Sequence, residues 1–253
     1  IALRLTEMGI VPLAGMGEAV LAMEIAAELG RDRAAAAPLL LPPAASAGRI
    51  LTEAEAKTAL SAEGVRVPAA VRVVGAEAAA DAAADIGFPV VLKGEGFAHK
   101  TEAGAVALDL RTAEAVTAAA NAMPARSFLI EEMITGTVAE LLVGVVADPA
   151  HGYVLTLAAG GQLTELLEDS VSLLVPAGRD EVRDALGTLW IARLLAGYRG
   201  KPAADVEGIL DTVMAVQAYV AAALPQEIEI NPLMCGPGGA VAADALIRIG
   251  DPT

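Results

Sequence analysis

A segment near the carboxyl end of the chain specifies a β-hairpin together with its register. Residues 227–233 read Glu-Ile-Glu-Ile-Asn-Pro-Leu, and Gly-Pro-Gly-Gly follows at 236–239. The alternation places Glu229 and Asn231 on one face of a strand, and a turn at 236–239 puts Asn231 opposite Asp244. Directly opposed side chains lie about 5 Å apart, so these two can share one Mg²⁺ with phosphate oxygens and water. A solvated acidic hairpin explains the same residues equally well.

The charge balance restricts the ligands and partners of the chain. With 17 Lys and Arg against 32 Asp and Glu, its 253 residues carry a net charge of −15. This balance argues against binding to nucleic acid or to an anionic membrane. A polyanionic ligand must instead be bound locally, by a few lysines, backbone N–H groups and a metal.

The composition also bears on the compartment. The single cysteine, Cys235, excludes an internal disulfide and fits a reducing compartment, so we expect a cytoplasmic protein. No uninterrupted apolar run reaches the roughly 18 residues of a membrane span. No basic stretch precedes an apolar core as it does in a signal peptide.

The chain divides into three regions. It begins at Ile1 rather than Met, so we expect a fragment or a processed product. Residues 1–33, with a helix predicted from Glu18 to Leu29, have the character of the C-terminal tail of a preceding domain. Residues 34–49 contain several prolines and no periodicity, which predicts a linker.

Residues 50–253 form the predicted compact unit. It begins with Thr52 and Glu55, which have the spacing of a helix capping box. Strand and helix patterns then alternate, which indicates an α/β (α+β) architecture. We expect a small lobe at about 65–127, and a large lobe made of about 50–64 and 128–253.

Lys93 and His99, which lie beside or within predicted loops, are candidates for interaction with phosphate. Lys93 ends an apolar strand just before Gly94, where a lysine can meet a phosphate. His99 lies in a loop between Gly96 and Gly104 and could carry phosphate on an imidazole nitrogen. The commoner alternatives are a surface lysine and an inert loop histidine.

Acidic and glycine-rich strand ends provide further candidate site residues. Glu131, Glu132 and Met133 end a strand, a position that suits an adenine edge and ribose hydroxyls. Acidic residues at a lobe boundary are an equally good explanation. The pair Gly160–Gly161 follows another apolar strand and can expose N–H groups to phosphate, although two glycines alone form only a weak signal.

Taken in order, these motifs carry a family resemblance. The order is Val-Val-Leu-Lys (90–93), His-Lys-Thr-Glu-Ala-Gly (99–104), Glu-Glu-Met (131–133), Gly-Gly (160–161), Glu165, Asn-Pro-Leu (231–233) and Ala-Asp-Ala (243–245). This series resembles the ATP-grasp domain of the ADP-forming acyl-CoA synthetases, or acetate–CoA ligases. It is more distantly similar to the β subunit of succinyl-CoA synthetase. The resemblance covers about residues 50–250 and implies a two-lobed ATP-grasp fold that binds ATP or ADP with Mg²⁺.

The resemblance also implies roles for individual residues. Cofactor-binding positions are Lys93 for the nucleotide phosphates, Glu131, Glu132 and Met133 for adenine, Glu140 for ribose, and Gly160 and Gly161 for the phosphate loop. Asn231 and Asp244 match the Mg²⁺ ligands. Glu229 matches a glutamate near a visiting phosphohistidine, and His99 matches a second phosphorylatable histidine, so both are candidate catalytic residues.

The implied reaction exchanges acid, ATP and CoA for acyl-CoA, ADP and phosphate. This chain would perform the phosphoryl half of that reaction as part of an acid–thiol ligase. The acyl half needs CoA-binding and ligase domains, fused upstream or in a separate subunit, so we expect the chain alone to be incomplete. We also expect the full-length protein to be a homo-oligomer.

The sequence departs from the family pattern at three positions, and the missing first glycine and the missing arginine favour a rival function. Ala158 replaces the first glycine before the phosphate loop, Ala105 replaces a second glycine after the histidine loop, and Leu246 stands where an arginine is usual. The rival is a non-catalytic nucleotide-sensing module fused to a protein acetyltransferase. The retained His99 and the Asn231–Asp244 pair favour catalysis. A carboxylate–amine ligase that shares the ATP-grasp fold is disfavoured by the His-Lys-Thr-Glu loop.

Overall fold

The computed structural model of the chain describes residues 2–13, 15–30, 38–43, 48–96, 103–161 and 169–250. It divides into two compact units, Ile1–Pro38 and Leu39–Thr253. The division falls inside the segment 34–49 that was predicted to be a linker. Part of that segment belongs to the second unit, because the Leu40 N–H donates to the Val175 carbonyl at 3.2 Å.

The first unit is helical where it is described. Helix α1 covers Ala2–Glu7 and helix α2 covers Met16–Leu29, in agreement with the predicted helix. Large apolar side chains of this unit are exposed, among them Leu3, Met16 and Met23.

The second unit contains two antiparallel sheets. Its strands are β1 (Gly48–Ile50), β2 (Ala70–Val74), β3 (Val90–Gly94), β4 (Val106–Leu110), β5 (Ser127–Glu132), β6 (Ala139–Asp148), β7 (Gly152–Ala159), β8 (Ser170–Leu174), β9 (Glu227–Gly236), β10 (Gly239–Ala242) and β11 (Ala245–Gly250). Within the described residues, one sheet has seven strands in the order β1-β11-β9-β6-β7-β8, with β10 paired to β9. The other has four strands in the order β2-β5-β3-β4.

Helices of the second unit pack on these sheets. They are α3 (Glu53–Ala62), α4 (Ala76–Ile86), α5 (Ala113–Ala122), α6 (Arg179–Thr188), α7 (Ala192–Leu195) and α8 (Val206–Ala223). The predicted capping box begins α3, because Thr52 accepts from the Glu55 N–H and the Glu55 carboxylate accepts from the Thr52 N–H. The seven-stranded sheet with α3, α6, α7 and α8 is the large lobe, and the four-stranded sheet with α4 and α5 is the small lobe.

The core of the large lobe lies between its sheet and α8. Ile209, Leu210 and Val213 of α8 are almost completely buried there. Among the described residues, α8 is the helix long and apolar enough to cross a membrane. Its packing against the sheet is that of a core helix.

The small-lobe sheet has two different faces. Val90, Leu92, Phe128 and Ile130 pack against α4 and α5 in one core. By strand alternation, Lys93 and its neighbours on β5 point to the other face. Glu131 on that face is only 2% exposed, so the large lobe covers it.

The lobe boundary expected at residue 127 is too early. Strand β5 pairs with both β2 and β3, so it is a central strand of the small-lobe sheet. Its sequence, Ser-Phe-Leu-Ile-Glu-Glu, carries no mark of the sheet to which it belongs. The small lobe therefore extends through Glu132.

The predicted hairpin register is confirmed on both sides of the candidate metal residues. Leu233 pairs with Ala242 in the β9–β10 ladder, and Ile230 pairs with Ala245 in the β9–β11 ladder. Between these ladders the Ala243 N–H donates to the Pro232 carbonyl at 3.0 Å. The offset does not change across this interruption, so Asn231 stands opposite Asp244.

Candidate nucleotide site

Lys93 lies at the end of β3 and reaches across to the large lobe. Its Nζ atom is 2.5 Å from Glu53 Oε1, 2.8 Å from Glu131 Oε2 and 2.9 Å from the Ala243 carbonyl oxygen. Glu53 begins α3, and Ala243 immediately precedes Asp244. The predicted phosphate lysine therefore lies where the small-lobe sheet, α3 and the hairpin meet.

A second lysine occupies the same cluster. Lys57 Nζ lies 2.7 Å from Glu53 Oε1, 2.6 Å from Glu131 Oε1 and 2.7 Å from the Ala243 carbonyl oxygen. The Lys57 side chain is 4% exposed and the Glu53 side chain 6%. Neither residue was among the site residues predicted from the sequence. The sequence signal that could have indicated them is the four-residue spacing of Glu53 and Lys57, which pairs two side chains on one helix face. Lys57 also lies beside Ala56 and Leu60 on the buried side of α3.

The cluster keeps Lys93 positively charged. Burial by itself lowers the pKa of Lys93, but the carboxylates of Glu131, Glu53 and Asp244 raise it above the usual lysine value. Lys93 is therefore an ammonium group at neutral pH.

The glycine pair and the asparagine lie together in the large lobe. The Gly161 N–H donates to Asn231 Oδ1 at 3.1 Å, and Asn231 Nδ2 donates to Glu229 Oε1 at 3.4 Å. The Gly160 N–H donates to the Glu140 carbonyl at 2.8 Å. The predicted ribose, phosphate-loop, metal and phosphohistidine residues thus converge at one end of the large-lobe sheet.

The residues present fit a Mg²⁺–nucleotide complex. Asn231 and Asp244 offer the oxygen donors that Mg²⁺ prefers, and they stand opposite each other on the hairpin. In the described part of the chain, no group of three or more His, Cys, Asp and Glu residues could hold a metal ion. A two-residue site suits Mg²⁺ that brings phosphate oxygens and water with it.

The three residues predicted to bind adenine do not all line the same cavity. The Glu131 carboxylate contacts both lysines, and its side chain also lines a cavity of about 470 Å³ between α3 and the β2–β5 ladder. Neither Glu132 nor Met133 lines this cavity. Glu132 is exposed, and its carboxylate accepts from the Ala69 N–H at 3.4 Å, while the Met133 N–H donates to the Pro89 carbonyl at 3.1 Å. Their adenine role stays a prediction.

Two predicted residues lie outside the described part of the chain. They are His99, the candidate phosphate carrier, and Glu165, which follows the glycine pair. Their roles also stay predictions.

Comparison with known proteins identifies the class of domain. A sequence model of the ATP-grasp domain family matches residues 44–249. The chain therefore belongs to this family.

Several known ligases are similar to the chain. It is 34% identical over 231 residues to a trans-feruloyl-CoA synthase of an unknown prokaryotic organism, a match that covers 84% of this chain and 32% of the relative. It is 28% identical to the β subunit of ADP-forming acetate–CoA ligase I of Pyrococcus furiosus, covering 85% of this chain and 98% of that subunit. The chain thus spans about a third of one relative and nearly all of the other.

A solved structure shares the fold. The dinucleotide forming acetyl-coenzyme A synthetase 1 of Ca. Korarchaeum cryptofilum, in complex with coenzyme A, Ca-AMPCP and HgCl⁺, superposes with a TM-score of 0.72 at 25% identity. The match covers 90% of this chain and 98% of that one. The predicted ATP-grasp fold is confirmed.

Proposed function

We propose that this chain is the nucleotide-binding part of an ADP-forming acyl-CoA ligase, which passes a phosphoryl group between ATP and a histidine. The observation that carries the proposal is the meeting of Lys93 with the Ala243–Asp244 segment, in a register that sets Asp244 opposite Asn231. This arrangement puts a buried cation beside a pair of oxygen ligands. Both are needed to neutralise a triphosphate on a chain of net charge −15.

The residues of this site have separate tasks in this function. Lys93 supplies a fixed positive charge to the phosphates. Gly161 orients the Asn231 oxygen through its N–H, and the two lysines hold the backbone carbonyl next to Asp244. Mg²⁺, held by Asn231 and Asp244, would neutralise charge on the phosphoryl oxygens when it is bound.

The acyl half of the reaction belongs to other domains in this proposal. The support is the coverage of the relatives, because the chain matches nearly all of a separate β subunit but only about a third of a larger synthase. We propose that CoA-binding and ligase domains, fused or separate, supply CoA, the carboxylic acid and the histidine loaded with phosphate. The acid substrate is then selected outside this chain. The localisation proposed from the composition is the cytoplasm.

The ligases found among the relatives favour turnover over the nucleotide-sensing rival. They include acetate–CoA ligases and a 4-hydroxybutyrate–CoA ligase, both ADP-forming.

The test uses isothermal titration of the full chain with ATP, with and without Mg²⁺. We expect Asp244→Ala to weaken ATP binding in Mg²⁺ by at least about 10- to 100-fold, the loss typical for groups that support a bound metal. Without Mg²⁺ the variant and the wild type should differ little. Asp211→Ala, an exposed carboxylate on α8, is the matched control. Unchanged ATP affinity in Asp244→Ala with Mg²⁺ would remove the metal assignment and the proposal with it.

A further inference from the structure

The two buried lysines contact the same three groups. Both ammonium groups contact the same Oε1 atom of Glu53 and the same carbonyl oxygen of Ala243, and they divide the two oxygens of Glu131 between them. An ammonium group has three hydrogens to donate. Each lysine therefore has three acceptors for three hydrogens.

This arrangement creates a difficulty for Lys93. To donate to a nucleotide phosphate, Lys93 must leave at least one of its three acceptors. Glu131 is 2% exposed, so water cannot readily replace a hydrogen bond that Lys93 withdraws from it. A buried carboxylate without a partner is strongly unfavourable.

We propose that Lys57 is the positioning residue that releases Lys93 to the nucleotide. Because Lys57 donates to the same three groups, each acceptor that Lys93 leaves keeps an ammonium partner. Lys57 thereby lowers the free energy needed to turn Lys93 towards phosphate, without contacting the nucleotide phosphates itself. The inference rests on the proposed nucleotide binding by this chain.

Lys57 also holds the hairpin in place during this change. Its 2.7 Å contact with the Ala243 carbonyl continues when Lys93 departs, so the backbone beside Asp244 does not lose its anchor. A merely structural lysine would stabilise the fold and leave the relative affinities of nucleotides unchanged. If Lys57 releases Lys93, substituting Lys57 must weaken the binding of ligands that contact Lys93. The affinity for ligands that do not contact Lys93 should stay the same.

The test compares ATP and AMP binding to the full chain in Mg²⁺, by isothermal titration. Lys57→Met should weaken ATP about 10- to 100-fold, as expected for a group that supports a ligand-binding residue. AMP lacks the distal phosphates, so its affinity should change little. Lys57→Arg should retain most of the ATP affinity, because it keeps the charge and donors and the adjoining cavity offers room for the larger side chain.

Controls separate this role from general destabilisation. Lys201→Met makes the same chemical change at an exposed lysine, and Leu60→Ala removes buried apolar volume from α3 while keeping every charged group of the cluster. Both should leave the ratio of ATP to AMP affinity unchanged. If Lys57→Met does not fold, Lys57→Gln, which keeps two N–H donors without the charge, carries the same expectation.

The outcomes distinguish the two proposals. A wild-type chain that binds no ATP in Mg²⁺ overturns both. If the wild type binds ATP and Asp244→Ala loses it, but Lys57→Met binds ATP like the wild type, only the releasing role is wrong. Equal losses of ATP and AMP affinity in Lys57→Met also overturn it, since they indicate a structural role.

Discussion

The shared acceptors of Lys57 and Lys93 predict an unusual double-mutant cycle for the stability of the ligand-free protein. In Lys93→Met, Lys57 still donates to Glu53, to Glu131 and to the Ala243 carbonyl. The single variant therefore loses charged hydrogen bonds without leaving an acidic side chain wholly unpaired. We expect a loss of about 1–3 kcal/mol in the free energy of unfolding. Lys57→Met should have a similar cost, since Lys93 then keeps the same groups.

The double variant removes both Lys57 and Lys93 from the cluster. The Glu131 carboxylate, whose side chain is 2% exposed, then loses both lysines that contact it. Breaking a buried ion pair by removing one partner costs about 3–5 kcal/mol, and here Glu131 loses both of its lysine partners. The total loss should therefore exceed the sum of the single losses by about 1–3 kcal/mol, within the usual range for coupled residues.

Urea unfolding of the four proteins measures this coupling. The slope of the unfolding free energy against urea must agree between variants, so that the midpoints report stability. Adding Lys201→Met to Lys57→Met provides the matched pair of distant lysines, whose effects should be additive. Additivity within about 0.5 kcal/mol for Lys57→Met and Lys93→Met would refute the reasoning that each lysine can replace the other.

Three further predictions concern other parts of the site. Lys93→Met should weaken ATP binding more than AMP binding, and equal losses in titration would mean that Lys93 does not contact the distal phosphates. With labelled ATP, Mg²⁺ and the partner domains, His99→Ala should lose acid-labile phosphate on this domain yet bind ATP normally; full synthetase turnover would refute the carrier role. Burial, with a smaller effect of Glu140, raises the pKa of Cys235 to about 12, so a thiol reagent at pH 8 should label it only after unfolding.

Local sequence patterns predict the elements of this fold and the hairpin register well. Strand alternation and the Gly-Pro-Gly-Gly turn are sufficient to place Asn231 opposite Asp244, because hairpin pairing depends on the turn alone. The helix predicted from Glu18 to Leu29 lies within the observed helix Met16–Leu29. The local pattern does not identify strand β8, because its Ser-Val-Ser-Leu-Leu sequence follows a segment without a clear turn signal.

Long-range polar contacts are what the sequence does not reveal. Lys57 meets Glu131 across 74 residues and Ala243 across 186. Its helical spacing from Glu53 predicts an ordinary surface ion pair, because nothing local indicates that the small lobe covers this part of α3. The site residues that the sequence predicts are those that belong to short sequence motifs. The residues that support them depend on how the two lobes pack.

The replaced glycine before the phosphate loop also has a different meaning once the strands are known. Ala158 and Ala159 are the last residues of β7, and they pair regularly with Leu142 and Leu141 of β6. An alanine is compatible with such extended backbone.

The need for glycine begins one residue later, where a side chain on Gly160 would come within 2.6 Å of the backbone carbonyl oxygen of Leu141. Gly161 then takes a φ of 71°, which favours glycine, and its N–H reaches Asn231. The substitution that argued for a sensing role therefore lies in the strand, and both glycines that the turn requires are present.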